Sequence, residues 1–209
     1  MTKRTASSPA RSTETRNRRR KSTRNFCPRF SRKPDCLPSN GETVWRKRTS
    51  VTDFDIVLVH PEIPHNTGAV GRLCVCLDCR LHLIRPLGFH LSDHYVKRAG
   101  LDYWPYLRLT VHDSWEDFLA ASAPSRLFFL STHGERSLYE CTFQPGDTLV
   151  FGSEGSGLPK PFYESYREQL FQIPMPGAHA RSLNLANAVS ISVYEAYRQL
   201  SGCGGTSPL

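Results

Sequence analysis

An α/β domain around a mostly parallel sheet is the fold class this sequence predicts, and three observations predict it. From residue 54 onward, short continuous apolar runs alternate with stretches of helical period. Several of those runs stop abruptly at Gly or Pro, as strands do when they deliver the chain into loops at their carboxyl ends. The first fifty residues hold almost no core-forming material, so the fold must come from the remainder.

In chain order, residues 55–60 read as a buried strand, and the domain begins at residue 53. Pro61 and Pro64 then hold an extended turn, with Asn66 or Thr67 placed to cap a helix. In that helix Val70, Leu73, Cys74 and Leu77 follow the i, i+3, i+4, i+7 rule and face inward. Arg72 lies off the stripe, one turn from a helix N-terminus that favours anions. It is either part of a phosphate or oxyanion site or a solvated surface arginine. Residues 81–84 form the second strand. A helix over 92–100 leads to Tyr103, Trp104 and Tyr106, beside Lys97 and Arg98. Basic and aromatic residues interleaved in this way suit stacking on an unpaired nucleobase, and aromatics at a core edge or subunit contact would look the same.

Residues 107–111 read as a strand, 114–121 as a helix capped by Ser114 with Asp117 at N3, and 126–131 as another buried strand. After a strand at 148–151, a helix starts near Pro161, a strand covers 170–173, and Arg181-Ser182-Leu183-Asn184 opens the last helix. Its inward residues are expected to include Leu185, Val189, Ser192, Tyr194 and Ala196. Ser182, Asn184 and Asn187 at its start act as caps or as one wall of a ligand pocket.

The stretch around which the domain is organised is Phe151-Gly152-Ser153-Glu154-Gly155-Ser156-Gly157-Leu158-Pro159. A phosphate-cradling P-loop needs Lys and then Ser/Thr directly after its last glycine, whereas Leu158 and Pro159 follow Gly157. The dinucleotide fingerprint fails too, because Lys160 stands where a third glycine is required. What is left is either a plain tight turn or a loop that reads its ligand through backbone groups, with Glu154 as its one charge.

Charge separates the chain into unlike parts. Residues 1–50 hold 15 Lys/Arg against 3 Asp/Glu, and the whole has 27 against 19, so residues 51–209 hold 12 against 16 and are net acidic. Residues 1–52 therefore read as a basic, disordered tail: a solvated extension, a nonspecific grip on RNA phosphates, an organellar transit peptide, or sequence upstream of the true start. Residues 202–209 read as a flexible C-terminal tail. No run of eighteen apolar residues and no short apolar stretch after the basic start occurs, so neither a membrane span nor secretion is expected. Seven cysteines is an odd count, and Cys74, Cys76 and Cys79 lack i, i+4 spacing, so no metal is expected and reduced thiols in a cytoplasmic setting are.

Three patches resemble, in order, the motifs of the SpoU branch of the SPOUT RNA methyltransferases. They are Asn66-Thr67-Gly68 with Arg72, the glycine loop, and Ile173-Pro174-Met175 followed by Arg181-Ser182-Leu183-Asn184-Leu185. Lys97-Arg98-Ala99-Gly100-Leu101-Asp102-Tyr103 is similar to the subgroup that methylates the wobble nucleotide of tRNA. The resemblance spans nearly all of residues 54–200. It implies a C-terminal trefoil knot, a homodimer, S-adenosyl-L-methionine as cofactor, and 2′-O-methylation of a wobble cytidine or uridine in the tRNA anticodon stem-loop. By the same resemblance Leu130, Gly152, Ile173, Ser182 and Leu183 contact the cofactor. Arg72 and Asn66 are the catalytic candidates, Glu154 orients the loop, and Lys97, Arg98, Tyr103 and Arg181 meet RNA. An arginine that is always charged does not serve easily as a base, so its expected role is to stabilise the developing alkoxide while the substrate phosphate receives the proton. Ala69 and Ala186 depart from the Asn and Ser that the resemblance leads one to expect. The competing expectations are a 2′-O-methyltransferase for ribosomal RNA or another tRNA position, and an inactive RNA-binding protein on the same scaffold.

Overall fold

The computed structural model describes residues 53–91 and 103–201. The tail at 1–52, the segment 92–102 with the helix expected over 92–100, and residues 202–209 lie outside the described residues.

Among the described residues seven strands form one sheet: β1 (Asp55–Val59), β2 (Arg80–Ile84), β3 (Arg108–His112), β4 (Leu127–Leu130), β5 (Arg136–Ser137), β6 (Thr148–Phe151) and β7 (Leu170–Gln172). Their order is β3-β2-β1-β6-β4-β7-β5, and every neighbouring pair is parallel. β5 was not expected from the sequence, since two residues carry no period. The α-helices among the described residues are α1 (Pro64–Leu77), α2 (Trp115–Ser122), α3 (Lys160–Ser165) and α4 (Leu185–Leu200).

Both faces of the sheet are covered, which is why its central strands read as unbroken apolar runs. Side chains still alternate. Ile56, Leu58, Phe128, Leu130, Leu149 and Phe151 join the core under α1 and α4, to which α4 adds Leu185, Val189, Val193 and Ala196. Val57, Val59, Phe129 and Val150 point to the other face, where Trp115 and Phe118 of α2 and Phe162 of α3 pack.

Two details of the helices differ from expectation. α1 starts at Pro64 with Ile63 as its N-cap, and Asn66 and Thr67 are buried inside its first turn instead of capping it. Arg72 is consequently the ninth helical residue, more than two turns from the N-terminal amides. In α4 the buried stripe runs through Leu185, Val189, Ser192, Val193 and Ala196. Tyr194 falls beside that stripe and is 51% exposed.

The chain lays down β1, β2 and β3 in one direction, crosses over, and inserts β6 between β1 and β4. The reversal puts a switch point between β1 and β6, and ligand sites of parallel sheets open at the carboxyl ends beside such points. The segment leaving β1 and the glycine loop leaving β6 are therefore neighbours.

A polar group separate from that point runs from the amino-terminal ends of β1 and β2 to His112, the last residue of β3. Arg80 forks onto both carboxylate oxygens of Asp55. His82 Nε2 stands 3.7 Å from the same carboxylate, and its Nδ1 pairs with His112 Nε2 at 3.0 Å. Burial pushes the Asp55 carboxyl up, but the His82 and Arg80 side chains around it outweigh burial and leave it below its ordinary value. Burial, and then the His82 ring, lower His112.

Two outcomes follow for stability. Phe129 is fully buried, with its ring stacked on Tyr166 at 4.4 Å and tilted against Trp115 at 5.8 Å. Phe129→Ala should cost about 3–5 kcal/mol in denaturant unfolding, and a loss under ~1 kcal/mol would contradict this packing. Both shifted groups bind protons more weakly folded than unfolded, so stability is full above their ordinary values and is lost on acidification. The loss begins below the ordinary imidazole value of 6.5 and deepens below the ordinary carboxylate value of 3.8. Asp55→Asn should lower stability at neutral pH and flatten the lower stage, as followed by melting temperature against pH.

Candidate active site

The loop after β6 takes a tight shape that its glycines allow for different reasons. At Gly152 the chain passes so close to its own return that an added Cβ would sit 2.1 Å from the carbonyl carbon of Gly157. At Gly157 the backbone takes φ of 71°, the left-handed region. The loop closes on itself through the Ser153 amide to the Gly157 carbonyl at 2.9 Å and the Gly157 amide to the Ser153 carbonyl at 3.1 Å. Inside it, the Ser153 hydroxyl accepts from the Ser156 amide at 3.1 Å. Leu158, 3% exposed, pins the exit into the core, and Pro159 leads into α3.

Glu154 extends from this loop to the start of α1. Its carboxylate accepts from the Glu62 amide at 2.8 Å, the Ile63 amide at 3.3 Å and Asn66 Nδ2 at 2.8 Å. It thus caps from another segment the helix N-terminus that has no side-chain cap of its own. A carboxylate only accepts, so Asn66 must turn its NH2 toward Glu154 and its oxygen away. That oxygen accepts from Asn184 Nδ2 at 3.0 Å. The Asn184 oxygen is then left to cap α4, accepting from the Ala186 and Asn187 amides at 3.0 and 3.4 Å. One directed chain of hydrogen bonds joins the glycine loop, α1 and α4.

Beside this chain lies a cavity of about 410 Å³, within the range usual for small-molecule sites. Leu130, Gly152, Ile173, Ser182 and Leu183 all line it, as do Asn66, Glu154 and Asn184. These residues come from the ends of β4, β6 and β7, the first turn of α1 and the approach to α4. Its lining mixes apolar residues with the glycine loop and with Ser131 and Ser182, a set that suits a nucleoside with one flat apolar body and polar edges.

The other expected residues lie elsewhere. Arg72 is exposed and does not line the cavity; its guanidinium lies over the Tyr103 ring, 5.1 Å from the centroid. Arg181 is exposed next to Ser182, outside the cavity wall. Lys97 and Arg98 fall outside the described residues. Of the three polar residues suspected of walling a pocket, Ser182 and Asn184 line it and Asn187 does not.

The structure also adds residues that the sequence did not single out. Thr132 and His133 line the cavity directly after β4, and Tyr163 of α3 closes the same side, its hydroxyl 3.3 Å from Ser131 Oγ and its ring edge-on to His133 at 5.5 Å. The strand-end rule, applied past residue 130, would have found the first two. Nothing in the periodicity of α3 marks Tyr163.

A tRNA (cytidine(34)-2′-O)-methyltransferase of Polaromonas sp. (strain JS666) is 48% identical over 159 residues, which cover 74% of this chain and 96% of that protein. Among solved structures, one concerned with 2-OH methylation of C/U34 on tRNA superposes with a TM-score of 0.66 at 51% identity, covering 71% of this chain and 97% of that one. The SpoU methyltransferase AviRb from Streptomyces viridochromogenes, in complex with AdoMet, matches with a TM-score of 0.61 at 25% identity over 72% of this chain and 62% of its own. The model of the SpoU rRNA Methylase family matches residues 53–194, most of the chain and nearly all of its described part, so the protein belongs to that family.

Proposed function

We propose that this protein transfers the methyl group of S-adenosyl-L-methionine to the ribose 2′-hydroxyl of the wobble nucleotide, cytidine or uridine, of tRNA. One observation carries the proposal. The five positions that the family resemblance assigns to the cofactor, far apart in sequence, wall a single cavity at the carboxyl ends of β4, β6 and β7. Relatives near 48% identity carry the wobble activity in their names, which favours it over a ribosomal or other-position target.

The cofactor supplies a methyl group already activated by its sulfonium, so the protein's task is to hold the acceptor oxygen in line and to stabilise charge as it forms. Leu130, Ile173 and Leu183 would flank the flat base, while Gly152 and Ser182 offer close backbone and a hydroxyl. Glu154 is no candidate base, because three donors already occupy its carboxylate. Asn66 holds the walls together, and Arg72 is assigned the developing alkoxide or the adjacent phosphate.

Arg72 follows Asn66 by six residues on α1, which on a helix is about 9 Å along the axis and ~120° around it. It therefore faces away from the cavity of its own chain. This placement supports a homodimer in which Arg72 serves a cavity completed by the second copy. The resemblance gives Lys97, Arg98, Tyr103 and Arg181 to the anticodon stem-loop, and the Arg72–Tyr103 contact offers that RNA a basic and aromatic surface. The loops after β4, β6 and β7 that wall the cavity are the ones a trefoil knot would tie, and the knot is part of the proposal. We place the reaction in the cytoplasm, with the thiols of Cys74, Cys79 and Cys141 reduced.

With labelled cofactor, tRNA bearing an unmodified wobble ribose should gain label, and the same tRNA already 2′-O-methylated there should not. Equal labelling of both would move the target to another position, and labelling of neither would favour the inactive scaffold. Arg72→Ala should keep cofactor binding by calorimetry and lose about 100- to 1000-fold in turnover. Unchanged turnover would remove Arg72 from the mechanism.

A further inference from the structure

The geometry points to Glu62 as a positioning residue for the cofactor loop, the second half of a crossed clasp whose first half is Glu154. Glu154 crosses from the glycine loop to accept from the Glu62 and Ile63 amides at 2.8 and 3.3 Å. Glu62 crosses in the opposite direction, its Oε2 accepting from the Gly155 amide at 3.2 Å. Each carboxylate thus holds the backbone of the segment that supplies the other.

The two halves do different work. Of the loop amides, those of Ser153, Ser156 and Gly157 are satisfied within the loop. Gly155 sits at the apex, and its amide is the one among these that reaches another element. Without Glu62 the loop keeps its internal closure, and the Glu154 side chain is left to bridge it to the start of α1. An added Cβ at Gly155 would lie 2.8 Å from Glu62 Oε2, so the apex has room for the carboxylate because residue 155 has no side chain. Glu62 is also fixed from behind. The Gly88 amide donates to the Pro61 carbonyl at 3.0 Å, and a Cβ at Gly88 would meet the Glu62 backbone at 2.8 Å. The 85–88 turn after β2 therefore buttresses the residue that holds the loop.

A loop fixed before its ligand arrives binds without the loss of affinity that ordering it would bring. Glu62 should therefore act on cofactor affinity and leave the methyl-transfer step alone, and it should do so as a hydrogen-bond acceptor, a task a glutamine oxygen can also perform. The inference rests on the proposed cofactor site, and the wild-type protein tests that site first. If the wild type neither binds nor uses S-adenosyl-L-methionine, the proposed function fails whatever Glu62 does.

Given an active wild type, the experiment compares Glu62→Ala, Glu62→Gln and Gly155→Ala for KM of the cofactor, kcat at saturating cofactor, and amide exchange over residues 152–158 of the cofactor-free protein. The expected result is a KM raised about 3- to 10-fold in Glu62→Ala, the equivalent of one modest hydrogen bond. With it come kcat within about twofold and faster exchange at the loop apex. Glu62→Gln should restore most of all three, and Gly155→Ala should reproduce the Glu62→Ala pattern by displacing the carboxylate. A fall in kcat at unchanged KM, a Glu62→Gln protein as impaired as Glu62→Ala, or unchanged loop exchange would each overturn the proposal. If Glu62→Ala does not fold, Glu62→Gln and Gly155→Ala decide it alone.

Discussion

The hydrogen-bond chain from Glu154 through Asn66 to Asn184 is the constraint on which the site depends. Its direction is fixed at one end by a carboxylate that can only accept and at the other by helix amides that can only donate, so neither asparagine can flip without leaving a partner unsatisfied. Asn66 is 8% exposed, and orphaning a buried amide costs about 1–3 kcal/mol. Three segments with no sequence proximity are held to one geometry in this way, and they form one side of the cavity that the ends of β4 and β7 complete. The parallel sheet makes this possible, because setting β6 beside β1 delivers the glycine loop to the start of α1.

Much of this was legible in the sequence, for reasons visible in particular residues. β1, β4 and β6 are central strands buried on both faces, so their apolar runs are unbroken and easy to recognise. Ser114 announces α2 because a short polar cap before an apolar period has few other uses, and its hydroxyl accepts from the Asp117 amide as expected. The start of α1 misled for the converse reason. Asn66 and Thr67 look like caps, but capping is done by Glu154, 88 residues from Asn66, and no local pattern encodes a partner so distant. Tyr194 misled because a helical stripe read one residue out of phase admits it in place of Val193.

The cavity shows the same division. Leu130 and Gly152 sit at the carboxyl ends of strands, where parallel sheets carry their sites, and Ser182 stands out as a polar residue at the start of the last helix, whereas Ile173 and Leu183 come from family resemblance alone, since nothing in their spacing marks a ligand wall. His133 and Tyr163 escaped both. Arg72 shows what a single chain leaves open: its residue type suggests chemistry, yet its exposed position over Tyr103 puts it on a surface rather than in the cavity. The second copy proposed above would close that separation and would give a net acidic domain a place to concentrate the cations that an RNA partner requires.

The most direct test of the account is a crystal structure of the protein grown with S-adenosyl-L-methionine. The account predicts the nucleoside in the cavity beside Leu130, Gly152, Ile173 and Ser182, with the Glu154–Asn66–Asn184 chain unchanged. A cofactor bound elsewhere, or those hydrogen bonds broken to admit it, would contradict the central claim that this chain of bonds builds the cofactor site in advance.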